Sequence, residues 1–254
     1  MKSKGLSGYN LKLIAIITMF IDHIGICIIE KLYQNSTSIF SLNGEKLLFL
    51  EEIFRLVGRL SFPIFCFLLV EGYYHTKNIK KYMTRLFIFA LISEIPFDLA
   101  LFHKFFYWGH QNVMFSLLLG LITIYLFDDD NNIFFRIIKN VRFFRIAVIP
   151  ASCIIGEALK LDYGAGGICT IFFMYIFLNE KGNFHWKHRD YIFSFFIGTI
   201  ILACCQGLSE LAALIDMAFI KNYNGERGKS LKYFFYIFYP IHFIILYGIY
   251  IIFR

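Results

Sequence analysis

Proline is scarce in this 254-residue chain, which has four. Charge is scarce as well: Asp, Glu, Lys and Arg make up 17% of the residues, against about 25% in soluble domains. No long polar tract separates the apolar runs, so there is no room for an independent soluble domain. No CxxC pair and no Cys/His ligand spacing occurs. The six cysteines (27, 66, 153, 169, 204 and 205) all fall within apolar runs. That pattern argues against zinc and reads each thiol as a small buried hydrophobe. No internal repeat of fixed period is present, which argues against an inverted-repeat transporter. The net charge of +7 comes with no RNA- or DNA-binding module, so no nucleic-acid partner is expected.

What the chain does contain is apolar surface. Hydrophobic residues make up 58% and aromatic residues 20%, with 32 Phe and 16 Tyr. The mean hydropathy is +0.63. The expected fold is all-α: one polytopic membrane domain over residues 1–254. Nine apolar segments lie near 11–30, 48–71, 83–102, 112–127, 143–159, 163–179, 191–206, 208–221 and 233–252. The eighth is short and carries Asp216. The first follows Lys2, Lys4 and Lys12 as a signal peptide would, but no small-x-small cleavage site precedes Asp22. It reads as an uncleaved first helix. The 128–132 run, DDDNN, reads as a polar loop, and no metal is expected.

Charge gives the direction. Eighteen Lys and Arg fall at the N-terminus and in the even-numbered connections, and five in the odd-numbered connections and C-terminus. Arg55 and Arg59 lie inside the second segment. For about nine transmembrane helices, the positive-inside rule then predicts a cytoplasmic N-terminus and an external C-terminus.

Asp22 and His23 interrupt the apolar run Leu11–Ile29 (LKLIAIITMFIDHIGICII). Ionisable groups at such depth are costly and commonly mark a site, a relay or a partner helix. At 1.5 Å per residue, His23 lies about 18 Å from the inner face, Arg59 about 12 Å and His242 about 14 Å. Asp22, His23, Arg59 and His242 therefore share the middle of a core about 30 Å thick. Glu94, Asp98 and Glu157 come out mid-to-outer, while Asn112 and Asp162 begin helices at the outer face. Together they outline a polar pocket that widens outward.

Structural alternatives stand beside each group. An Asp22–Arg59 pair either fixes helix packing or serves a site. His23 is either a packing histidine or a base. His242 follows Pro240, where a kink frees backbone carbonyls for it to bond. Glu94 caps a break before Pro96. Asp162 is the N-cap of the helix beginning DYGAGG. Glu71 and His75 face water at the inner end of the second segment. Neighbours on a helix point about 100° apart, so Asp22 does not automatically orient His23. Arg59 is the natural partner for Asp22, which leaves His23 as a neutral base.

The motifs LKLIAIITMFIDHIG, GRLSFPIFCFLLVEGYYHT, YMTRLFIFALISEIPFD, NVMFSLLLG, DYGAGG, YNGERG and FYPIH follow one another across nearly the whole chain. In this order the sequence resembles the TraX family, multi-pass proteins that N-acetylate pilin in conjugative plasmids and are similar to broader acyl-CoA-using membrane acyltransferases. The resemblance implies acetyl transfer from acetyl-CoA. By position it implies functional roles for Asp22 and His23 of DHIG, Arg59 of GR, Glu71 of EGY and His242 of YPxH.

In that reading His23 is the general base or carries an acetyl-His intermediate, and His242 is a second proton carrier. Arg59 stabilises oxyanion charge or holds an acidic group, and Asp22 positions Arg59. Lys77, Lys80, Lys81 and Arg85 stand where CoA phosphates would be met from the cytoplasm, although positive-inside bias accounts for them equally well. Glu71, Glu94, Asp98, Asn112, Glu157 and Asp162 are the candidate acceptor-binding groups. The acceptor is a membrane-associated peptide or glycan. Two rivals remain: a proton-coupled transporter, since midplane His and carboxylates suit relays, and a non-catalytic subunit of a conjugation or secretion apparatus.

Overall fold

The first helix is longer than the apolar run that predicts it. In a computed structural model describing residues 5–34, 44–128, 141–178, 190–229 and 232–253, α1 (Gly8–Ile24) continues through a π turn, Gly25–Ile29, into α2 (Glu30–Gln34). Asn10 fixes the start: its side-chain oxygen accepts from the Ser7 N–H (3.1 Å) and the Ser7 hydroxyl (2.6 Å). The second segment is longer as well. It comprises α3 (Gly44–Gly58) and α4 (Ser61–His75), with a turn at residues 59 and 60. Then come α5 (Ile79–Phe102), α6 (Val113–Phe127), α7 (Val141–Ala158), α8 (Gly164–Leu178) and α9 (Tyr191–Gln206). The last elements are a 3-10 helix (Leu208–Asp216), α10 (Met217–Lys221) and α11 (Lys232–Phe253).

The described residues are thus helical, joined by turns and two isolated bridges, and all nine expected segments correspond to helix. Two expectations change. The eighth segment is not one α-helix but nine residues of 3-10 helix followed by a short α-helix. Glu94 caps no break, because α5 runs unbroken through Pro96. Three stretches are long and apolar enough to cross a bilayer: Gly8–Tyr33, Gly44–His75 and Tyr233–Ile252. Three shorter apolar helices are Val113–Phe127, Gly164–Leu178 and Tyr191–Gln206. Of the DDDNN loop, only Asp128 is among the described residues.

The helices form two compact units. The first contains residues 1–65, 91–107 and 209–254. Within it α1, the π turn and α2 pack against α3 as a hairpin. Tyr33 lies near Gly44, and Gly25 near Phe54. α11 lies along α1, and the contacts rise together in number: Tyr9 with Phe235, Phe20 with Phe238, His23 with Phe243. The two helices therefore run in the same direction. The start of α1 is stitched to the loop after α10. Leu6 and Gly8 N–H groups donate to Asn222 and Glu226 carbonyls (2.7 and 2.8 Å), and the Asn224 N–H donates back to Leu6 (2.9 Å).

The second unit contains residues 66–90 and 108–208. Its centre is α8, buried on most sides between α6, α7 and α9. Small residues let these backbones approach, as membrane-type packing requires. A Cβ at Gly120 would collide with Ile171, and one at Gly198 with Met174. Hydroxyls bridge the same seams: Ser194 donates to the Met174 carbonyl (2.8 Å).

Candidate functional site

The last turn of α1, followed directly by the π turn, positions both Asp22 and His23, about 100° apart around the helix. π turns inside helices recur at functional sites because the extra residue re-aims the side chains beside it. His23 Nδ1 lies 2.6 Å from His242 Nε2, and the two rings are nearly parallel at 9°. His242 Nδ1 lies 3.1 Å from the carbonyl of Phe238, one turn earlier on α11. A carbonyl can only accept, so His242 Nδ1 carries hydrogen and donates to Phe238. His242 Nε2 then accepts, and His23 Nδ1–H donates to it. The proton on His23 is thus assigned to Nδ1, and Nε2 holds the lone pair. Phe20, Phe238 and Phe243 pack around the pair, and His242 is buried.

Asp22 does not complete this chain. Its Oδ2 is 3.9 Å from His23 Nε2, beyond hydrogen-bond distance. Nor does it pair with Arg59, as expected from the sequence. Arg55 Nη1 donates to both carboxylate oxygens of Asp22, at 2.9 and 2.8 Å. The cause is Gly58: a Cβ there would overlap Asp22, so its absence lets α3 approach α1 and brings Arg55, three residues before it, over the carboxylate. Glu51 lies 3.7 Å from Arg55 on the other side. Arg59, on the turn after α3, instead meets Glu210 of the 3-10 helix at 2.8 Å. Glu210 is 1% exposed. A 3-10 helix has three residues per turn, so Glu210, Ala213 and Asp216 fall on one face, and all three are buried.

All four expected catalytic residues therefore lie in the first unit, but as three adjacent pairs: His23–His242, Asp22–Arg55 and Arg59–Glu210. Arg55, Glu210 and the Phe238 carbonyl are the partners the sequence reading missed. Depth alone could have found Arg55. Four residues before Arg59 on a segment that runs inward, Arg55 lies about 6 Å further from the inner face than Arg59 and still inside the core.

The remaining expected residues divide between the units. In the first, Asp98 is buried and accepts from the Tyr107 N–H (2.7 Å), tying down the turn after α5, and Glu94 is half-buried on α5. In the second, Glu71 is 3% exposed and sits 3.2 Å from the exposed His75, so it does not face water as expected. Asn112 is fully buried; its oxygen accepts from the Met114 N–H (3.0 Å) and its amide donates to Ala90 (2.9 Å). Asp162 is not the N-cap of α8. Glu157 takes that part, accepting from Ala165 N–H at 2.8 Å, while Asp162 lies 3.5 Å from His110. Lys77, Lys80 and Lys81 are exposed between α4 and the first turn of α5, and Arg85 lies over Tyr82 at 5.8 Å.

The family model described as TraX protein matches residues 7–250. The probable fimbrial assembly protein FimC, serogroup H1, of Dichelobacter nodosus is 27% identical over 94% of this chain and 94% of its own length. An uncharacterized protein of Rickettsia prowazekii (strain Madrid E) is 30% identical over 68% of this chain and 56% of its own length. No solved structure matches. With the family model covering nearly every residue, and with DHIG, GR and YPxH supplying the residues of the paired site, this chain is a member of the TraX family.

Proposed function

We propose that this chain is an integral membrane acyltransferase that moves an acetyl group from acetyl-CoA to an amine or hydroxyl of a membrane-associated acceptor. The acceptor is a peptide N-terminus or a glycan. The observation that carries this reading is the His23–His242 pair, which sets the tautomer of the half-buried His23 imidazole and leaves Nε2 as the base.

In the proposed reaction His23 Nε2 removes the proton from the acceptor as its nitrogen or oxygen attacks the thioester carbonyl. The C–S bond then breaks, and the departing thiolate takes that proton back from Nε2. Atoms and charge balance without a metal. While His23 is protonated, His242 shares the charge through the common hydrogen bond, and the Phe238 carbonyl stabilises it. Arg55 and Arg59, each held by a carboxylate, supply fixed positive charge for the oxyanion of the tetrahedral intermediate. The protein sits in the bacterial cytoplasmic membrane with α1 and α11 starting on the cytoplasmic side, where acetyl-CoA is found. Incubating the purified protein with labelled acetyl-CoA and membrane extract tests this; undiminished transfer by His23→Ala ends the assignment.

A second reading is supported by the name of the Dichelobacter nodosus relative, a fimbrial assembly protein. In it the chain is a non-catalytic membrane subunit of a pilus apparatus, and the paired polar groups join helices. Pilus assembly that survives a His23→Ala, Arg59→Ala double substitution would favour it.

A further inference from the structure

In the second unit, α7 and α8 form a hairpin that bends through residues 159–163. Glycine on both sides of the bend lets the two helices close on each other. A Cβ at Gly156 would stand 2.7 Å from Ile168 Cδ1 and 3.4 Å from the backbone of Gly164. One turn further from the bend, Cys153 meets α8 in the same antiparallel register. Its Sγ lies 3.6 Å from Cys169 Sγ and 4.0 Å from the Ala165 carbonyl. The two cysteines are 16 positions apart in the chain.

The cysteines of the chain are not alike. Cys27 and Cys66 are buried, as the sequence predicts, whereas Cys153 and Cys169 are half-buried, and Cys204 and Cys205 are exposed. The α7–α8 pair thus combines what thiol–disulfide exchange requires: sulfur in contact with sulfur, and surface through which a reagent enters. A disulfide bond is about 2 Å long, so closing the pair moves each sulfur by about 0.8 Å, within the reach of side-chain rotation. Cys205 of α9 is the rival partner. It lies against Gly166, where a Cβ would come 2.8 Å from its own. Gly166 is one turn before Cys169 on the same face of α8, so Cys205 stands about 4.5 Å nearer the bend than Cys169. On the topology expected from charge, this bend faces away from the cytoplasm, where thiols are not held reduced.

We propose that Cys153 and Cys169 form a dithiol site that a small-molecule disulfide oxidises to an intramolecular disulfide, joining α7 to α8 one turn from their bend. One cysteine thiolate attacks a sulfur of the small disulfide, breaks its S–S bond and releases one thiolate. The other cysteine thiolate then attacks the mixed disulfide and releases the second. One S–S bond is lost and one forms. The two cysteines are oxidised, the small disulfide is reduced to two thiols, and those thiols take up the two protons that the cysteines give up. The site is independent of acetyl transfer, whose imidazole pair belongs to the first unit.

The test uses the full chain in lipid nanodiscs, with excess hydroxyethyl disulfide as the probe. Free thiols are then blocked and the protein is cut with trypsin. Lys160 lies between the two cysteines, so cleavage there separates them unless sulfur joins them. The expected result is a peptide pair linked from Cys153 to Cys169, lighter by two hydrogens than its separate parts and split by dithiothreitol. In Cys204→Ser, Cys205→Ser, which keeps four of the six thiols, oxidation is expected to leave two. Adding Cys153→Ser abolishes the link and leaves Cys169 carrying a hydroxyethylthio group. The unsubstituted protein decides by itself if a variant is unstable. Separate adducts on its Cys153 and Cys169 overturn the proposal. A link from Cys169 to Cys205 overturns it as well, and so does the absence of reaction at both Cys153 and Cys169.

Discussion

His23 and His242, 219 positions apart in the chain, meet nitrogen to nitrogen at 2.6 Å. The bond is directional. The Phe238 carbonyl fixes the proton on His242, and His242 in turn fixes the proton on His23. A relay built this way makes its two members unequal, which is testable.

His23→Ala removes the base and is expected to lower acetyl transfer by about 10²- to 10⁴-fold. His242→Phe keeps the packing and removes both hydrogen bonds of His242; the one to His23 is worth ~1 kcal/mol, so a loss of about five- to tenfold is expected. Steady-state kinetics on the two purified variants measures the difference. Equal losses would mean that His242 does more than fix the tautomer of His23.

Arg59→Gln leaves the carboxylate of Glu210 buried without its cation. Breaking a buried pair from one side costs about 3–5 kcal/mol, so this variant should melt well below the unsubstituted protein. Adding Glu210→Gln should restore most of the loss. Thermal unfolding of both variants measures the coupling; no recovery in the double variant would argue against a direct pair.

Gly58→Ala places a methyl group where Asp22 already lies. Overpacking of this kind costs about 1–3 kcal/mol and would push α3 off α1, separating Arg55 from Asp22. Gly120→Ala overlaps Ile171 in the other unit and should cost a similar amount while sparing the site. Comparing activity at matched folded fraction separates the two. Activity loss only in the Gly58 variant is the expected result.

Asp216 is fully buried, and neither carboxylate oxygen has a hydrogen-bond partner among the described residues. A buried polar group left unsatisfied costs about 1–3 kcal/mol, and more when charged. Asp216→Leu removes both unpartnered oxygens and should raise the unfolding midpoint. A lower midpoint would reveal a partner that this substitution disrupts.

Segment positions were legible because apolar runs long enough to form buried helices leave a strong signal in composition, and all nine correspond to helix. The co-location of His23 and His242 was legible from helical rise. The ion pairing was not. Asp22 pairs with Arg55 instead of Arg59 because Gly58 removes a side chain at the contact, and a missing Cβ leaves no trace in a depth count. Glu210 was hidden because an apolar run in 3-10 conformation exposes a different face from the same run in α-helix. Asp162 and Glu157 exchanged roles for a local reason: the chain turns at Lys160 and Tyr163, both at positive φ, so the carboxylate that reaches the start of α8 is the earlier one.

The central claim is that the His23–His242 pair serves acetyl transfer, and one measurement tests it most directly. Purified protein is incubated with acetyl-labelled acetyl-CoA and membrane extract, beside His23→Ala matched for folded fraction. The account predicts a labelled membrane-associated peptide or glycan with the unsubstituted protein, and label reduced by at least 10²-fold with the variant. Equal labelling by both proteins, or no labelled acceptor with either, would contradict it.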